Sequence, residues 1–256
     1  MDAQFDELIA AAEAQPFAGW DFSWLAGRMT IEPAPWDYTA RAADLAARSP
    51  DLLDMGTGGG EWLAQISNRP PRTFATEAWP PNVPVAGRNL APVGIPVVQD
   101  EGAADNADQA THDPRGRMPF RDGAFQVVVN RHEAFVATEV ARVLAPGGDF
   151  LTQQVDNGAF DDYYPLLGLD PPPNDGSWLP LAIAQVEAAG LRIVHSGAGV
   201  EVRRFADVGA LAWYLQAISW AVHQFAIADF RDQLRALHDR VPVTARETRL
   251  WVHARK

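Results

Sequence analysis

The chain has 256 residues, which at about 150 residues per domain fits one large domain or two small ones. It lacks cysteine, so disulfides, thiol nucleophiles, cysteine-bound zinc and iron–sulfur clusters are excluded. Its 33 acidic and 21 basic side chains leave a net charge of −12, poorly suited to tracking nucleic-acid phosphates or anionic membranes.

The opening MDAQFDELIAAAEAQ is acidic and amphipathic, with no basic leader, and no apolar run approaches the ~18 residues that cross a membrane. The expectation is a cytoplasmic protein. Helices are predicted over residues 2–14 and 38–48, with an aromatic, Pro-containing stretch from Phe17 to Trp36 between them, so residues 1–48 read as a helical cap. Asp51–Met55 (DLLDM) is a short apolar strand, followed at once by GTGGG and a helix from Glu61 to Ser67. Thr73–Glu77 is a second strand, Pro81–Pro92 a helix with prolines suited to its first turn, and Ile95–Gln99 a third strand. Glu101–Arg117 is polar and acidic and reads as a surface loop. Ala124–Asn130 (AFQVVVN) has the unbroken apolar centre of a strand buried on both faces. A helix over Ala134–Leu144 ends at Pro146-Gly147-Gly148, ahead of a fifth strand at Phe150–Val155. Residues 156–256 contain a Pro-rich loop at Leu169–Gly176, a helix over Trp178–Ala189 and a sixth strand at Leu191–His195. A helical insertion over Val208–Asp239 (206–240 at its widest) and an alternating last strand at Thr248–Ala254 complete the chain. This alternation predicts an α/β sheet with right-handed crossovers. We read it as a single domain: cap, core over 49–155, and a second half carrying the insertion.

The glycines between the first strand and its helix let the backbone turn tightly and let a ligand approach the main chain. Dinucleotide enzymes use G-x-G-x-x-G there, with pyrophosphate on the helix N-terminus. Here the sixth position is Glu61, whose carboxylate would repel a pyrophosphate. The spacing that does fit is acid-x-G-x-G-x-G, met by Asp54, Gly56, Gly58 and Gly60. It suits a ligand with a carboxylate, an ammonium and a sulfonium but no phosphate.

At these residues the chain resembles the class I S-adenosylmethionine-dependent methyltransferases of the small-molecule type. The resemblance runs from Asp51 to about Val155, with a fainter echo beyond. It is carried in the family's order by LLDMGTGGGEW, TFATEAW, MPFRDGAFQVVVNRHEAF and VLAPGGDFLTQQV. It implies a Rossmann-like, doubly wound and mostly parallel seven-stranded sheet whose last strand is antiparallel. It also implies that S-adenosylmethionine is the cofactor, held by the loop of Gly56, Thr57, Gly58 and Gly60. Glu77, 23 positions after Asp54, would accept both ribose hydroxyls; the bland alternative is a solvated strand-end acid. Trp79 would stack on the adenine or pack under the next helix. Asp100 would face the adenine amine or be a surface charge. Asp54 would organise the loop or meet the methionine ammonium, and the backbone carbonyl of Asn130 would meet that ammonium too.

The reacting end is expected beyond the strands' carboxyl ends. His132 is the candidate general base, a role that an unperturbed histidine suits, or else it caps a helix or orients a loop. Arg131 would pair with a carboxylate of cofactor or substrate, or form an ordinary salt bridge. Asp156-Asn157 has the look of the magnesium site of catechol-type O-methyltransferases, but that site needs a carboxylate where this chain has Asn130, so no metal is expected. Trp213, Tyr214, Trp220, His223, Phe225 and Phe230 of the insertion would be core residues or a lid over an apolar acceptor. Trp36 and Tyr38 would close over the cofactor or pack. The expected function is methyl transfer to a small or medium organic acceptor by a monomer or homodimer, without membrane or nucleic-acid partners. The alternatives are an RNA methyltransferase, against which the acidic balance weighs, a protein that binds the cofactor without transferring methyl, and a nicotinamide-dependent reductase, disfavoured by Glu61.

Overall fold

The computed structural model describes residues 3–100, 102–103, 117–222 and 225–256. Most of the predicted loop at Glu101–Arg117, and His223, lie outside the described residues. The strands are β1 (Met29–Glu32), β2 (Asp51–Met55), β3 (Arg72–Glu77), β4 (Val97–Gln99), β5 (Phe125–Arg131), β6 (Leu144–Val155), β7 (Arg192–Phe205) and β8 (Val243–Arg255). The helices are α1 (Ala3–Ala14), α2 (Tyr38–Ala47), α3 (Glu61–Ala64), α4 (Val83–Leu90), α5 (Ala137–Val143), α6 (Tyr163–Leu166), α7 (Leu179–Ala188), α8 (Val208–Ala217) and α9 (Arg231–His238).

One sheet contains all eight strands, in the order β1-β7-β8-β6-β5-β2-β3-β4. The strands from β4 to β6 are mutually parallel, while β8 runs antiparallel to both β6 and β7. The predicted seven strands are therefore eight. The additional one, β1, pairs antiparallel with the far end of β7, from Met29↔Phe205 to Glu32↔Val202. It was hidden inside the aromatic cap segment, because Met29-Thr-Ile-Glu32 alternates but is at the lower limit of length for a strand signal.

The sheet is covered on both faces. Leu52, Val127, Val129 and Leu151 face α2, Leu63 of α3 and Leu90 of α4. Leu53, Val128, Phe150 and Val252 face the other way, against Val140 of α5 and Val186 of α7. All five residues of β2 are buried, as a central parallel strand requires. A third cluster joins the cap to the insertion: Phe5 and Ile9 of α1 pack with Leu211, Trp213 and Leu215 of α8 and Leu234 of α9.

The two C-terminal strands are far longer than predicted. β7 has 14 residues where five were expected, and β8 has 13 where seven were expected. The predicted strand stops at His195, ahead of Ser-Gly-Ala-Gly199, whose glycines weaken a strand signal. In the fold these glycines give space to aromatic neighbours. A Cβ on Gly197 would lie 3.0 Å from the Trp251 indole nitrogen, and one on Gly199 would lie 2.8 Å from the Trp36 ring. Strand β7 thus pairs with β8 from Arg192↔Arg255 to Phe205↔Val243, with one register shift between Ile193 and His195.

Asp207 starts α8 by accepting from the Ala210 amide at 2.8 Å, and the same carboxylate holds the Arg28 guanidinium of the cap. Trp213 is buried, and its indole donates to the Gln15 carbonyl at 3.0 Å. Because this ring joins cap and insertion, Trp213→Ala is expected to cost roughly 3–5 kcal/mol, read as a lowered urea midpoint.

Candidate functional site

The loop after β2 turns through three left-handed glycines, Gly56 (φ 69°), Gly58 (φ 63°) and Gly60 (φ 83°). Side chains are strained there. The surroundings are also full: a Cβ on Gly60 would lie 2.7 Å from Leu90 Cγ, and one on Gly56 would run into the Glu133 side chain. The loop is sewn to β3. Thr57 donates its amide to the Thr76 carbonyl at 2.8 Å, and Gly58 donates its amide to Glu77 Oε2 at 2.7 Å. The other oxygen, Glu77 Oε1, accepts from the Trp79 amide at 2.9 Å. Gly60 donates to the Thr57 carbonyl, and Asn89 of α4 donates to the Gly59 carbonyl. The amides of Thr57, Gly58 and Gly60 are thus engaged internally, and the Glu61 side chain lies against Gly59 and Gly19.

Carboxylates line this region. Asp54 and Glu77 are 2% and 3% exposed, and Asp100 is buried at the end of β4 with its amide on the Glu77 carbonyl. Glu133, which the sequence reading passed over, sits beside Gly56 and Gly102. Burial pushes the Asp54 carboxyl up to about 7. Burial, then the charges of Glu77 and Asp100, pushes Glu133 up to about 7 as well. Burial also raises Glu77, against its two backbone donors.

The candidate cofactor residues, Asp54, Gly56, Thr57, Gly58, Gly60, Glu77, Asp100 and Asn130, come together at the ends of β2, β3, β4 and β5. Trp79 is 63% exposed, so it does not pack under the next helix. Asn130 is fully buried. Its Oδ1 accepts from Thr152 and Gln154, and its backbone carbonyl accepts from the Tyr38 hydroxyl at 3.0 Å. Tyr38 is thereby a packing residue under the loop. Trp36 packs too: its indole donates to Gln153 Oε1 at 2.8 Å and its ring lies beside Trp251.

His132 is the one non-glycine residue with positive φ (61°) among the described residues. Held backbone strain of this kind marks functional positions. Its amide donates to the Gln153 carbonyl at 2.8 Å. With Gln153 Oε1 taken by Trp36, the amide nitrogen of Gln153 faces His132 Nε2 at 3.3 Å. That nitrogen is then the acceptor, and the ring proton belongs on Nδ1. Burial, and then the charges of Arg131, Arg249 and Arg203, hold the imidazole well below its ordinary pKa. Arg131 is exposed and forms no ion pair among the described residues, so the ordinary salt bridge is not found.

A cavity of about 470 Å³ runs from Asp54, Gly56, Thr57 and Glu61 past Arg131 and His132 to Glu201, Arg203 and Arg249. Of the insertion's aromatics, Tyr214 and Trp220 reach it, while Trp213, Phe225 and Phe230 belong to the cap core. Trp220 stacks on Trp20 of the cap at 5.7 Å, so cap and insertion meet at its wall. Asp156 and Asn157 are spent on their own loop. Asp156 Oδ1 accepts from the amides of Asn157 and Trp178, and the Asn157 side chain donates to the Gly176 carbonyl.

The charged end of this cavity was missed in the sequence. Glu247 is fully buried and accepts from the hydroxyls of Tyr163 and Tyr214, both at 2.6 Å. It also pairs with Arg203 at 2.7 Å and with Arg249. Glu201 holds the same two guanidiniums at 3.1 and 3.3 Å. Burial alone would raise Glu247, but the two arginines hold it below the usual carboxylate range. The available signal was the i, i+2 spacing of Glu201/Arg203 and Glu247/Arg249, which puts each pair on one face of a strand. It could be read only if β7 and β8 were known to extend that far.

No model of a protein family matches the chain, and no curated protein matches it. Solved structures share its fold. A protein from Bacillus halodurans described as a candidate methyltransferase is 18% identical, with a TM-score of 0.54 over 85% of this chain and 98% of that one. The YcgJ protein of Bacillus subtilis is 18% identical, with a TM-score of 0.54 over 86% and 97%. A protein of unknown function from Deinococcus radiodurans is 17% identical, with a TM-score of 0.55 over 89% and 90%. At these identities the likeness is one of fold. No helix among the described residues is long and apolar enough to cross a membrane.

The raised carboxyls have a consequence for pH. Between their ordinary values of 3.8 and 4.5 and about 7, Asp54 and Glu133 bind more protons in the folded chain than in the unfolded one. Their contribution to stability therefore falls as pH rises through that window. Urea midpoints at several pH values, for wild type and for Asp54→Asn with Glu133→Gln, are expected to show the variant gaining on wild type from about pH 5 to about pH 7.5.

Proposed function

We propose that the chain is an S-adenosylmethionine-dependent methyltransferase acting on a small or medium organic acceptor. One observation carries this reading. The glycine loop has the backbone of a nucleotide site, but its Thr57, Gly58 and Gly60 amides are spent internally, and Asp54, Glu77, Asp100 and Glu133 surround it. A pyrophosphate would meet carboxylates in place of free N–H groups. A ligand with an ammonium, a sulfonium and one carboxylate is a net cation and suits that field.

The residues present fit such a ligand. Each oxygen of Glu77 accepts one backbone N–H, Asn82 adds a side-chain donor, and of the about four lone-pair sites of a carboxylate one is left for a ribose hydroxyl. The carbonyl of Asn130 likewise keeps one lone pair beside its bond from Tyr38, and it would meet the ammonium with Asp54. Asp100 and the exposed ring of Trp79 would hold the adenine. Gly56, Gly58 and Gly60 would let the ligand lie close to the main chain. When bound, the cofactor supplies a methyl group activated by the sulfonium.

The chain's own work is then positioning in a walled cavity, the largest contribution open to an in-line displacement. His132 is a weak base with Nε2 already engaged by Gln153. Its role in this reading is to orient the acceptor through the proton on Nδ1. A small-molecule acceptor accords with the cavity of about 470 Å³.

Thermal unfolding with S-adenosylmethionine, S-adenosylhomocysteine or NADH tests the reading. A ligand at ~100 times its dissociation constant adds about 2.7 kcal/mol, a shift of roughly 5–11 °C for a chain near this size. We expect that shift with the two sulfur ligands only, and its loss in Glu77→Ala. A larger shift with NADH, or none with either sulfur ligand, would sink it.

A further inference from the structure

Resting on the methyltransferase reading, we infer that the acceptor is an organic carboxylate, an apolar or aromatic body whose anionic group is seated against Arg131, between the glycine loop and the Arg203/Arg249 cluster. The walls there are apolar: Phe22 and Met29 come from the cap side, Val155 and Phe160 follow β6, and Ile218 follows α8. The polar surface among them is charged. Three guanidiniums, Arg131, Arg203 and Arg249, stand against two carboxylates, Glu201 and Glu247. Asp54 and Glu61 also line the cavity, but they belong to the glycine-loop end, where the cofactor's cationic groups would lie. Asp54, next to last in β2, is three strands from β8 in the sheet, and Arg131 at the end of β5 lies between them.

Hydrogen-bond accounting gives the same answer independently. Two guanidiniums with five N–H donors each, and two phenols, converge on Glu201 and Glu247, which offer about four lone-pair sites apiece. Both phenols donate to Glu247 Oε1, which also stands 2.7 Å from Arg203 Nε. The Nε–H groups of Arg203 and Arg249 have carboxylate oxygens nearby but no aligned acceptor. Donors exceed these acceptors even with the Thr248 carbonyl that Arg249 also reaches, and since both arginines line the cavity, a ligand that meets their outward N–H groups brings acceptor oxygens. Arg131, without an ion pair among the described residues, is the exposed guanidinium of the three; its charge acts on Asp54 on one side and, with Arg203 and Arg249, on His132 on the other. In a chain of net charge −12, this concentration of guanidiniums runs against the overall balance.

The test is binding to the full chain, read by the fluorescence of Trp20 and Trp220 on the cavity wall. Benzoate, 2-naphthoate, phenylacetate and octanoate are titrated against their primary amides, with and without S-adenosylhomocysteine. At least one carboxylate is expected to bind about tenfold or more tightly than its amide, a difference of about 1.4 kcal/mol. Arg131→Gln is expected to shrink that preference at least fivefold while leaving the melting temperature in place, since Arg131 is exposed. If no carboxylate outbinds its amide, or if the preference survives Arg131→Gln, the inference is overturned. The thermal shift with the sulfur ligands is read separately. A carboxylate preference without that shift discards the methyltransferase reading and keeps the anion site. The shift without the preference discards the anion site alone.

Discussion

The carboxylate of Glu77 is the interaction on which the site depends. It ends β3, is almost wholly buried, and takes backbone donors from both Gly58 and Trp79. A buried carboxylate without donors would be costly. With them it fixes the glycine loop against the neighbouring strand, and the three left-handed glycines follow as the only backbone that can make the turn. The loop then sets the start of α3, and Leu90 of α4 fills the space that Gly60 leaves. One side chain thus closes the loop and orients two helices.

The second organising element is the buried charge cluster between β7 and β8. Taking Arg203, Arg249 and Glu247 out of water is expensive, and such groups are retained only when paired and hydrogen-bonded. Here they are paired by strand alternation: Glu201 and Arg203 on one strand meet Glu247 and Arg249 on its neighbour. Tyr163 and Tyr214 close the cluster from α6 and α8. The long strands therefore do more than extend the sheet. They carry cationic groups to the cavity, and their far end provides the edge on which β1 pairs.

The cavity itself belongs to no single segment. Its walls come from the cap, the glycine loop, the β5 turn, the long strands and the insertion, which meet where Trp20 stacks on Trp220. The cap also presses on the loop directly: a Cβ on Gly58 would lie 3.2 Å from that of Trp20. Glycine loop and cavity are thus mechanically joined, the arrangement that the proposed positioning catalysis requires.

The sequence by itself determined the local devices. The apolar run DLLDM before GTGGG, the acid at Glu77 and the buried run AFQVVVN announce strand, glycine turn and strand-end acid, because each depends on neighbours a few residues away. Tertiary structure decided the rest. Strand β1 and the extensions of β7 and β8 exist because partners lie across the sheet, and glycines that weaken a strand signal serve Trp36 and Trp251. Glu133 gained its place beside Gly56 only when the ends of β2 and β5 came together, and the Arg203/Arg249 cluster only when strand register aligned residues far apart in the chain. His132 was visible as a residue type, but burial and three arginines made it a weak base. Desolvation and long-range Coulomb interactions depend on what surrounds a group in space, and that surrounding is written in the fold rather than in the neighbouring letters.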